Sequence, residues 1–289
     1  MEVTMQTLQN KAAPKISAKV ESVLIKVPLG DGYETAGQVA DNLRLRLLDA
    51  GVKVDTIPLK RKYDLVVAIG GDGTMMRTAQ EYSRKGVPTL GVNGGDVGFL
   101  TSAEASDWEA VANRIVSGDF QIEERLALAA TVGKSRVGLV TNEVLIRHPY
   151  SLIHAEVKVG DDVIHEALPA DGVLIATATG STAYNSSVGG PIVSPSSTSV
   201  VLNAISPTVL NFRAYVMDEI VQGKQITLKV IDSKHNQPVA VLADGQPVGN
   251  GLLPGQSVTI EKSYRPLLFA TFGLGQYLEA LKSKKGFAR

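Results

Sequence analysis

The chain contains no cysteine. That excludes disulfides, thiolate metal sites and a cysteine nucleophile. Aromatic residues are scarce, at 5%, and Trp108 is the single tryptophan. So few aromatic faces argue against a stacking platform for single-stranded nucleic acid. Charge of one sign is also missing. Lys+Arg and Asp+Glu each number 29, which leaves no basic footprint for nucleic acid or an anionic membrane. No run of about 18 apolar residues offers a membrane-spanning helix. The polar stretch from Met1 to Lys19 lacks the apolar segment of a signal peptide. These absences predict a soluble, cytoplasmic protein with neither nucleic acid nor membrane among its partners.

What is present is a core-forming composition. The hydrophobic fraction is 44% and the mean hydropathy is +0.08, enough for a globular fold. A length of 289 residues allows one large domain or two ordinary ones. Residues up to about Lys15 read as a loose leader. Ser22–Val27, Val52–Val54, Leu65–Ile69 and Thr89–Asn93 read as strands. Ala36–Ala50 carries Val39, Leu43, Leu47 and Leu48 at helical spacing, with Gly51 as its stop. Thr74–Lys85 and Asp107–Ser117 read as further helices, stopped by Gly86 and Gly118. Alternating strands and helices predict a parallel sheet with helices on its faces.

Beyond about residue 120 the period changes. Arg125–Val132, Val137–Ile146, His154–Val159, Val173–Thr177, Ser199–Ala204, Gln225–Val230, Val239–Leu242 and Ser257–Glu261 read as strands separated by turns. The expected fold is therefore an α/β N-terminal domain with a parallel sheet (1–120) and a mainly antiparallel β domain (121–265). A C-terminal tail (266–289), with a short basic helix at Tyr277–Lys285, is expected to pack back on the first domain.

The most informative run is Val66-Val67-Ala68-Ile69-Gly70-Gly71-Asp72-Gly73-Thr74. An apolar strand enters a glycine-rich turn, and Met75-Met76-Arg77 opens a helix. That geometry brings phosphate against backbone N–H groups and a helix N-terminus. Asp72 is the wrong group beside a bare phosphate. Its presence there points either to holding a metal ion or to taking a proton from a hydroxyl about to be phosphorylated. The run is neither a Walker A loop nor a dinucleotide-dehydrogenase fingerprint.

Asn93-Gly94-Gly95-Asp96-Val97-Gly98-Phe99-Leu100 forms a second glycine-rich loop at a strand end, where ligands of parallel sheets bind. Thr141-Asn142-Glu143 offers donor and acceptor groups suited to a ribose or base edge. Thr177, Thr179, Ser181, Thr182, Ser186 and Ser187 crowd small hydroxyls around Gly180 and Tyr184, followed by Gly189-Gly190-Pro191-Ile192. This chemistry suits a neutral, many-hydroxyl ligand such as a nucleoside, with Tyr184 as a flat face for a base. Asp171-Gly172 is either a hairpin turn or a carboxylate aimed into a cleft, and Asp244-Gly245-Gln246 is open in the same way. His148, His154, His165 and His235 have no metal-ligand spacing and read as surface or strand residues.

Taken in order, Gly70–Thr74, Asn93 with Gly98-Phe99-Leu100-Thr101, Thr141–Glu143, Thr179–Tyr184, Gly189–Ile192 and Asp244–Gln246 resemble the NAD kinase family. The resemblance implies transfer of the γ-phosphoryl of ATP or polyphosphate to the 2′-hydroxyl of the adenosine ribose of NAD. It implies Asp72 at that hydroxyl. It implies Gly70, Gly71, Gly73, Thr74 and Arg77 at phosphates. Asn142 and Glu143 would hold ribose, and Thr182, Ala183, Tyr184 and Ser187 would surround adenine. Asp171 would lie near the nicotinamide, and Gln246 would join the NAD site. It further implies Mg²⁺ or another divalent cation, and a homodimer or homotetramer. A non-catalytic dinucleotide sensor and a lipid kinase of the same superfamily are the competing expectations. One departure is plain: Ser206-Pro207-Thr208-Val209-Leu210 before Arg213 lacks the His that many family members carry there.

Overall fold

The computed structural model describes residues 19–28, 30, 33–94 and 98–284. The leader, Asp31-Gly32, Gly95–Val97 of the second glycine loop and Lys285 lie outside that set. In chain order the elements are β1 (Ser22–Lys26), α1 (Glu34–Asp49), β2 (Lys53–Asp55), β3 (Leu65–Gly70), α2 (Asp72–Ser83), β4 (Thr89–Asn93), β5 (Ala103–Glu104) and α3 (Trp108–Ser117). Next come β6 (Gln121–Arg125), β7 (Leu128–Val132), β8 (Ser135–Val140), β9 (Glu143–Arg147), β10 (Ile153–Val159), β11 (Asp162–Ala170), β12 (Gly172–Thr177) and α4 (Tyr184–Ser187). The chain ends with β13 (Val200–Ile205), β14 (Tyr215–Met217), β15 (Ile226–Ser233), β16 (Ala240–Ala243), β17 (Gln246–Pro247), β18 (Ser257–Lys262), β19 (Leu267–Thr271) and α5 (Leu274–Lys284). None of the described helices is long and apolar enough to cross a membrane.

These elements form two compact units. One holds the described residues up to Thr78, Val87–Glu123 and those from Phe269 onward. The other holds Ala79–Gly86 and Glu124–Leu268. The first unit is built on a sheet of order β2-β1-β3-β4-β19-β6, with β5 beside β4. Pairings of β1 with β2 and β3, and of β4 with β3, β5 and β19, are all parallel. β3 is buried along its whole length, as expected of a central parallel strand covered on both faces. Helix α1 turns Ala36, Val39, Ala40, Leu43 and Leu47 into that core. Leu48, counted in the stripe from sequence, is exposed instead; it falls one residue past the buried Leu47, off the face at helical spacing. Gly51, Gly86 and Gly118 follow the helix ends at φ of 81°, 72° and 70°, the left-handed stop that glycine adopts without strain.

The second unit is a sandwich of two antiparallel sheets, β11-β10-β15-β18-β7-β8 and β14-β13-β12-β9-β16-β17. One core joins them: Leu128, Val157, Leu228 and Ile260 from the first, and Ile146, Val173, Ile175 and Leu202 from the second. Each such side chain removed from water contributes about 1.5–3 kcal/mol. β12 is buried on both faces. Val173 and Ile175 enter the sandwich core, while Leu174 and Ala176 join an outer cluster covered by Tyr184, Val188 and Val193. That is why it reads as a continuous apolar run.

Two segments that read as single strands are broken. Arg125–Val132 divides into β6, in the parallel sheet, and β7, in the sandwich. Val137–Ile146 divides into β8 and β9, which lie in different layers of the sandwich. Both breaks occur where the chain changes sheets. At Leu126-Ala127 hydropathy is unbroken because the residues remain buried while their pairing partners change, whereas the polar Thr141-Asn142 marks the second crossing.

Candidate functional site

The Asp72 region grows from adjacent strand ends. Gly70 closes β3 opposite Asn93 of β4. Gly70 has φ +155°, and a Cβ there would stand 2.9 Å from Thr74 Oγ1. A side chain would therefore block the turn. The Thr74 and Met75 amides then donate to Gly71 O at 3.0 and 3.1 Å, starting α2. Asp72 is the first residue of that helix. Its Oδ2 accepts from the Phe99 amide at 3.0 Å and its Oδ1 from the Leu100 amide at 2.9 Å. The second glycine-rich loop thus holds the carboxylate of the first. Asn93 Nδ2 donates to Glu104 Oε2 at 2.8 Å. Gly73 and Arg77 are exposed, and Arg77 Nη1 lies 3.4 Å from where a Gly73 Cβ would be. Glycine at 73 leaves the Arg77 guanidinium beside the helix opening. A helix N-terminus with a cation over it favours anions, and phosphate in particular.

The sandwich unit carries the other candidate residues. Thr141 and Asn142 link β8 to β9 across the two layers, so their amides have no strand ladder to join. The Asp244 carboxylate takes them. Its Oδ2 accepts from the Thr141 amide at 2.8 Å. Its Oδ1 accepts from the amides of Asn142 at 2.7 Å and Glu143 at 3.3 Å. Gln80 Nε2 donates to Asp244 Oδ2 at 2.7 Å and to Thr141 Oγ1 at 3.0 Å. Asp244 and Gly245, at φ 47° and 76°, make the tight turn between β16 and β17. Of the sequence alternatives for Asp244-Gly245 the hairpin turn is the one observed, and its carboxylate is taken up by backbone amides and Gln80.

Glu143 is buried beside this clamp. Burial first, and the Asp244 charge second, push its carboxyl up to about 7, against a lowering bond from the Tyr184 amide. Its Oε2 is buried and has no hydrogen-bond partner among the described residues. Burial likewise raises the Asp244 carboxyl, while the amides of Thr141, Asn142 and Glu143 and the Gln80 side chain oppose the rise.

The hydroxyl-rich segment packs directly on this turn. Thr177 Oγ1 donates to Thr141 O at 2.5 Å, and the Thr177 amide to Asn142 O at 2.8 Å. A Cβ at Gly180 would fall 2.1 Å from Asn142 O, so only glycine allows this approach. The hydroxyls mostly serve their own backbone. Ser181 Oγ donates to Ala178 O at 2.7 Å and accepts from the Val193 amide at 2.9 Å; Thr182 Oγ1 donates to Thr179 O at 3.3 Å. Buried Asn185 donates to Ser181 O and Pro191 O and accepts from Asn203 Nδ2. This network secures the return through Gly189–Ile192. Tyr184 is half-buried, with its hydroxyl 3.4 Å from Arg147 Nη1. Ala183 is half-buried, and Ser187 and Gln246 are exposed.

Asp171 is not a hairpin turn. It joins β11 of one layer to β12 of the other, its amide donating to Ile205 O at 2.9 Å. Buried His148 is likewise not a surface residue. The Tyr150 amide donates to its Nδ1, so Nε2 carries the proton and donates to Gln237 Oε1 at 3.1 Å. Sequence reasoning missed Gln80 altogether and left Asp244 undecided. The Asp-Gly pair was the available signal for Asp244; a glutamine within a helix gives none.

Comparison with known proteins accounts for both units. The ATP-NAD kinase N-terminal domain matches residues 21–120, and the ATP-NAD kinase C-terminal domain matches residues 141–272. An NAD kinase of Heliobacterium modesticaldum is 39% identical over 78% of this chain and 79% of its own. One from Methanopyrus kandleri is 35% identical over 80% and 81%. Among solved structures, an NAD kinase from Archaeoglobus fulgidus in complex with ATP is 26% identical, with TM-score 0.72, covering 91% of this chain and 98% of that one. Yeast NADH kinase complexed with NADH shares the fold at 20% identity, with TM-score 0.79 and coverage of 96% and 93%. With matches over both units and this level of identity, the chain belongs to the NAD kinase family.

Proposed function

We propose that this chain transfers the γ-phosphoryl group of ATP, or a terminal phosphoryl of polyphosphate, to the 2′-hydroxyl of the adenosine ribose of NAD, giving NADP. A bond forms between the 2′ oxygen and phosphorus, the phosphoanhydride bond of the donor breaks, and the hydroxyl proton leaves. The observation that carries the reading is Asp72. A pure dinucleotide binder has no use for a carboxylate at a phosphate-type helix opening, held in place by the Phe99 and Leu100 amides.

Asp72 orients the acceptor hydroxyl and takes its proton. Gly70, Gly71, Gly73 and Thr74 face phosphates with their backbone, and Arg77 adds positive charge. Asn142 and Glu143 hold ribose. Thr182, Ala183, Tyr184 and Ser187 surround adenine, Asp171 serves the nicotinamide end and Gln246 completes the NAD contacts. This assigns phosphate chemistry to 1–120 and NAD binding to 121–265, with 266–289 packed back on the first domain. Phosphoryl transfer needs mainly positioning and charge stabilisation, which these groups offer.

No cluster of three or more potential metal ligands occurs among the described residues. That fits a cation such as Mg²⁺ carried on donor phosphates with one or two carboxylates, rather than in an all-protein cage. Asp72 would be the carboxylate available to such an ion only in place of its proton-taking role, and the ion would supply neutralisation of phosphate charge. The reading extends to a cytoplasmic homodimer or homotetramer.

The test is incubation with NAD, Mg²⁺ and either ATP or polyphosphate, with NADP followed by an NADP-specific dehydrogenase. NADP with the wild type and none with Asp72→Asn is the expected result. NAD binding without NADP in either tube overturns it.

A further inference from the structure

We propose that Asp244 is a positioning residue for NAD: its carboxylate shapes the Thr141–Glu143 crossing, and Gln80 holds that carboxylate in register. The inference rests on the NAD kinase reading, in which Asn142 and Glu143 touch the dinucleotide.

A chain that leaves one sheet for another must satisfy the backbone amides it strands. At Thr141, Asn142 and Glu143 all three go to one side chain, Asp244, at 2.7–3.3 Å. With Gln80 at 2.7 Å, four donors meet two carboxylate oxygens, which is their ordinary acceptor capacity. Asp244 therefore has no lone pair left for a ligand. It acts through the residues whose backbone it holds, not on the substrate itself.

The bonding is reciprocal. The Asp244 amide donates to Glu143 O at 3.0 Å, so the turn and the crossing fix one another. Gln80 uses both hydrogens of one nitrogen, on Asp244 Oδ2 and Thr141 Oγ1. On its far side the crossing is fixed by Thr177, whose hydroxyl and amide donate to Thr141 O and Asn142 O. The result is a short stretch of backbone gripped from two sides. On that stretch buried Glu143 keeps one oxygen, Oε2, without a hydrogen-bond partner among the described residues. Charge-assisted bonds of this kind are roughly twice as strong as neutral ones, which suits a device whose purpose is fixed geometry.

The test is steady-state kinetics of the full-length protein, with NAD and ATP varied separately and thermal melting recorded alongside. Asp244→Asn keeps the size but puts an NH₂ where a backbone amide also donates. KM for NAD is expected to rise about tenfold or more, with KM for ATP unmoved and kcat within about threefold. A role in stability alone would lower the melting temperature and the active fraction while leaving KM for NAD as it was, and that result overturns the proposal. If Asp244→Asn does not fold, Gln80→Leu decides. It removes one grip without adding a donor, and a rise of about threefold in KM for NAD alone supports the proposal. An unchanged KM for NAD in a folded Gln80→Leu then overturns it. Absence of NADP from the wild type overturns the function instead; NAD titration by calorimetry then reads the Asp244 effect directly, as a raised Kd or none.

Discussion

The Asp72 region and the Asn142–Glu143 region solve the same problem in different ways. Both hold a carboxyl and its neighbours still, and in the proposed function each meets a ligand. At Asp72 the job is done locally, by a strand, a glycine turn and a helix contiguous in sequence, plus two amides from the next strand's loop. At Asn142–Glu143 it is done by assembly. Gln80, Thr177, Gly180 and Asp244 come from separate stretches of the chain. The first arrangement leaves its carboxyl half-exposed. The second buries Glu143 and drives its carboxyl up to about 7. A contiguous turn can present a group to solvent and ligand, whereas an assembled one surrounds it with protein and thereby removes water.

The comparison breaks most sharply at Asp72. Replacing it by Asn is expected to lower kcat by about 10²–10⁴-fold, with the melting temperature and NAD affinity near wild type. Loss of fold would mean that the carboxylate serves the turn more than the chemistry. The assembled region should fail in the opposite way. Gly180→Ala places a methyl against Asn142 O, whose approach leaves 2.1 Å. The backbone must shift, costing about 1–3 kcal/mol, and KM for NAD should rise with it; urea titration and NAD kinetics together check both.

Glu143 sharpens the contrast through pH. Its folded value is about 7 against 4.5 for the free group. Between those values the folded chain holds a proton that the unfolded chain has released. On this group's account, stability is fully present below about 4.5 and falls as pH rises to about 7. Glu143→Gln should flatten that part of the pH dependence, measured as the difference in unfolding free energy between about pH 5 and about pH 8. An unaltered slope would mean that the carboxyl titrates normally. The smallest effect belongs to a control in the same unit. Arg136 pairs with Glu261 on an exposed face, so Arg136→Ala should cost under about 1 kcal/mol and leave both KM values unchanged.

The Asp72 region was legible in sequence for a physical reason. A buried strand entering Gly-Gly-Asp-Gly-Thr fixes its own turn and helix start, and the paired loop ends follow once both strands are parallel. The Asn142–Glu143 region was legible as motifs but not as mechanism. The crowded hydroxyls of Thr177–Ser187 suggested a ligand cradle, and nothing in the sequence showed that those of Thr177, Ser181 and Thr182 also bond backbone. Hydroxyls near a glycine turn look alike in sequence whether they face a ligand or a carbonyl. The break at Leu126-Ala127 was hidden because a chain can change partners without changing hydropathy; at Thr141-Asn142 the polar residues were visible, but not that they carry the chain between layers.

The sequence by itself determined the α/β-then-β order, the three glycine helix stops, the Asp72 turn and the family. The stops and the turn depend on residues within one or two turns of one another, where sterics and periodicity act directly, and the order and the family on such local patterns taken in series. Only the tertiary structure decided that Asp244 binds the Thr141–Glu143 backbone, that Gln80 takes part, and that Glu143 sits beside a second, half-buried carboxyl. Those pairings join residues distant in sequence, and a single sequence carries no record of which buried amide a remote carboxylate will satisfy.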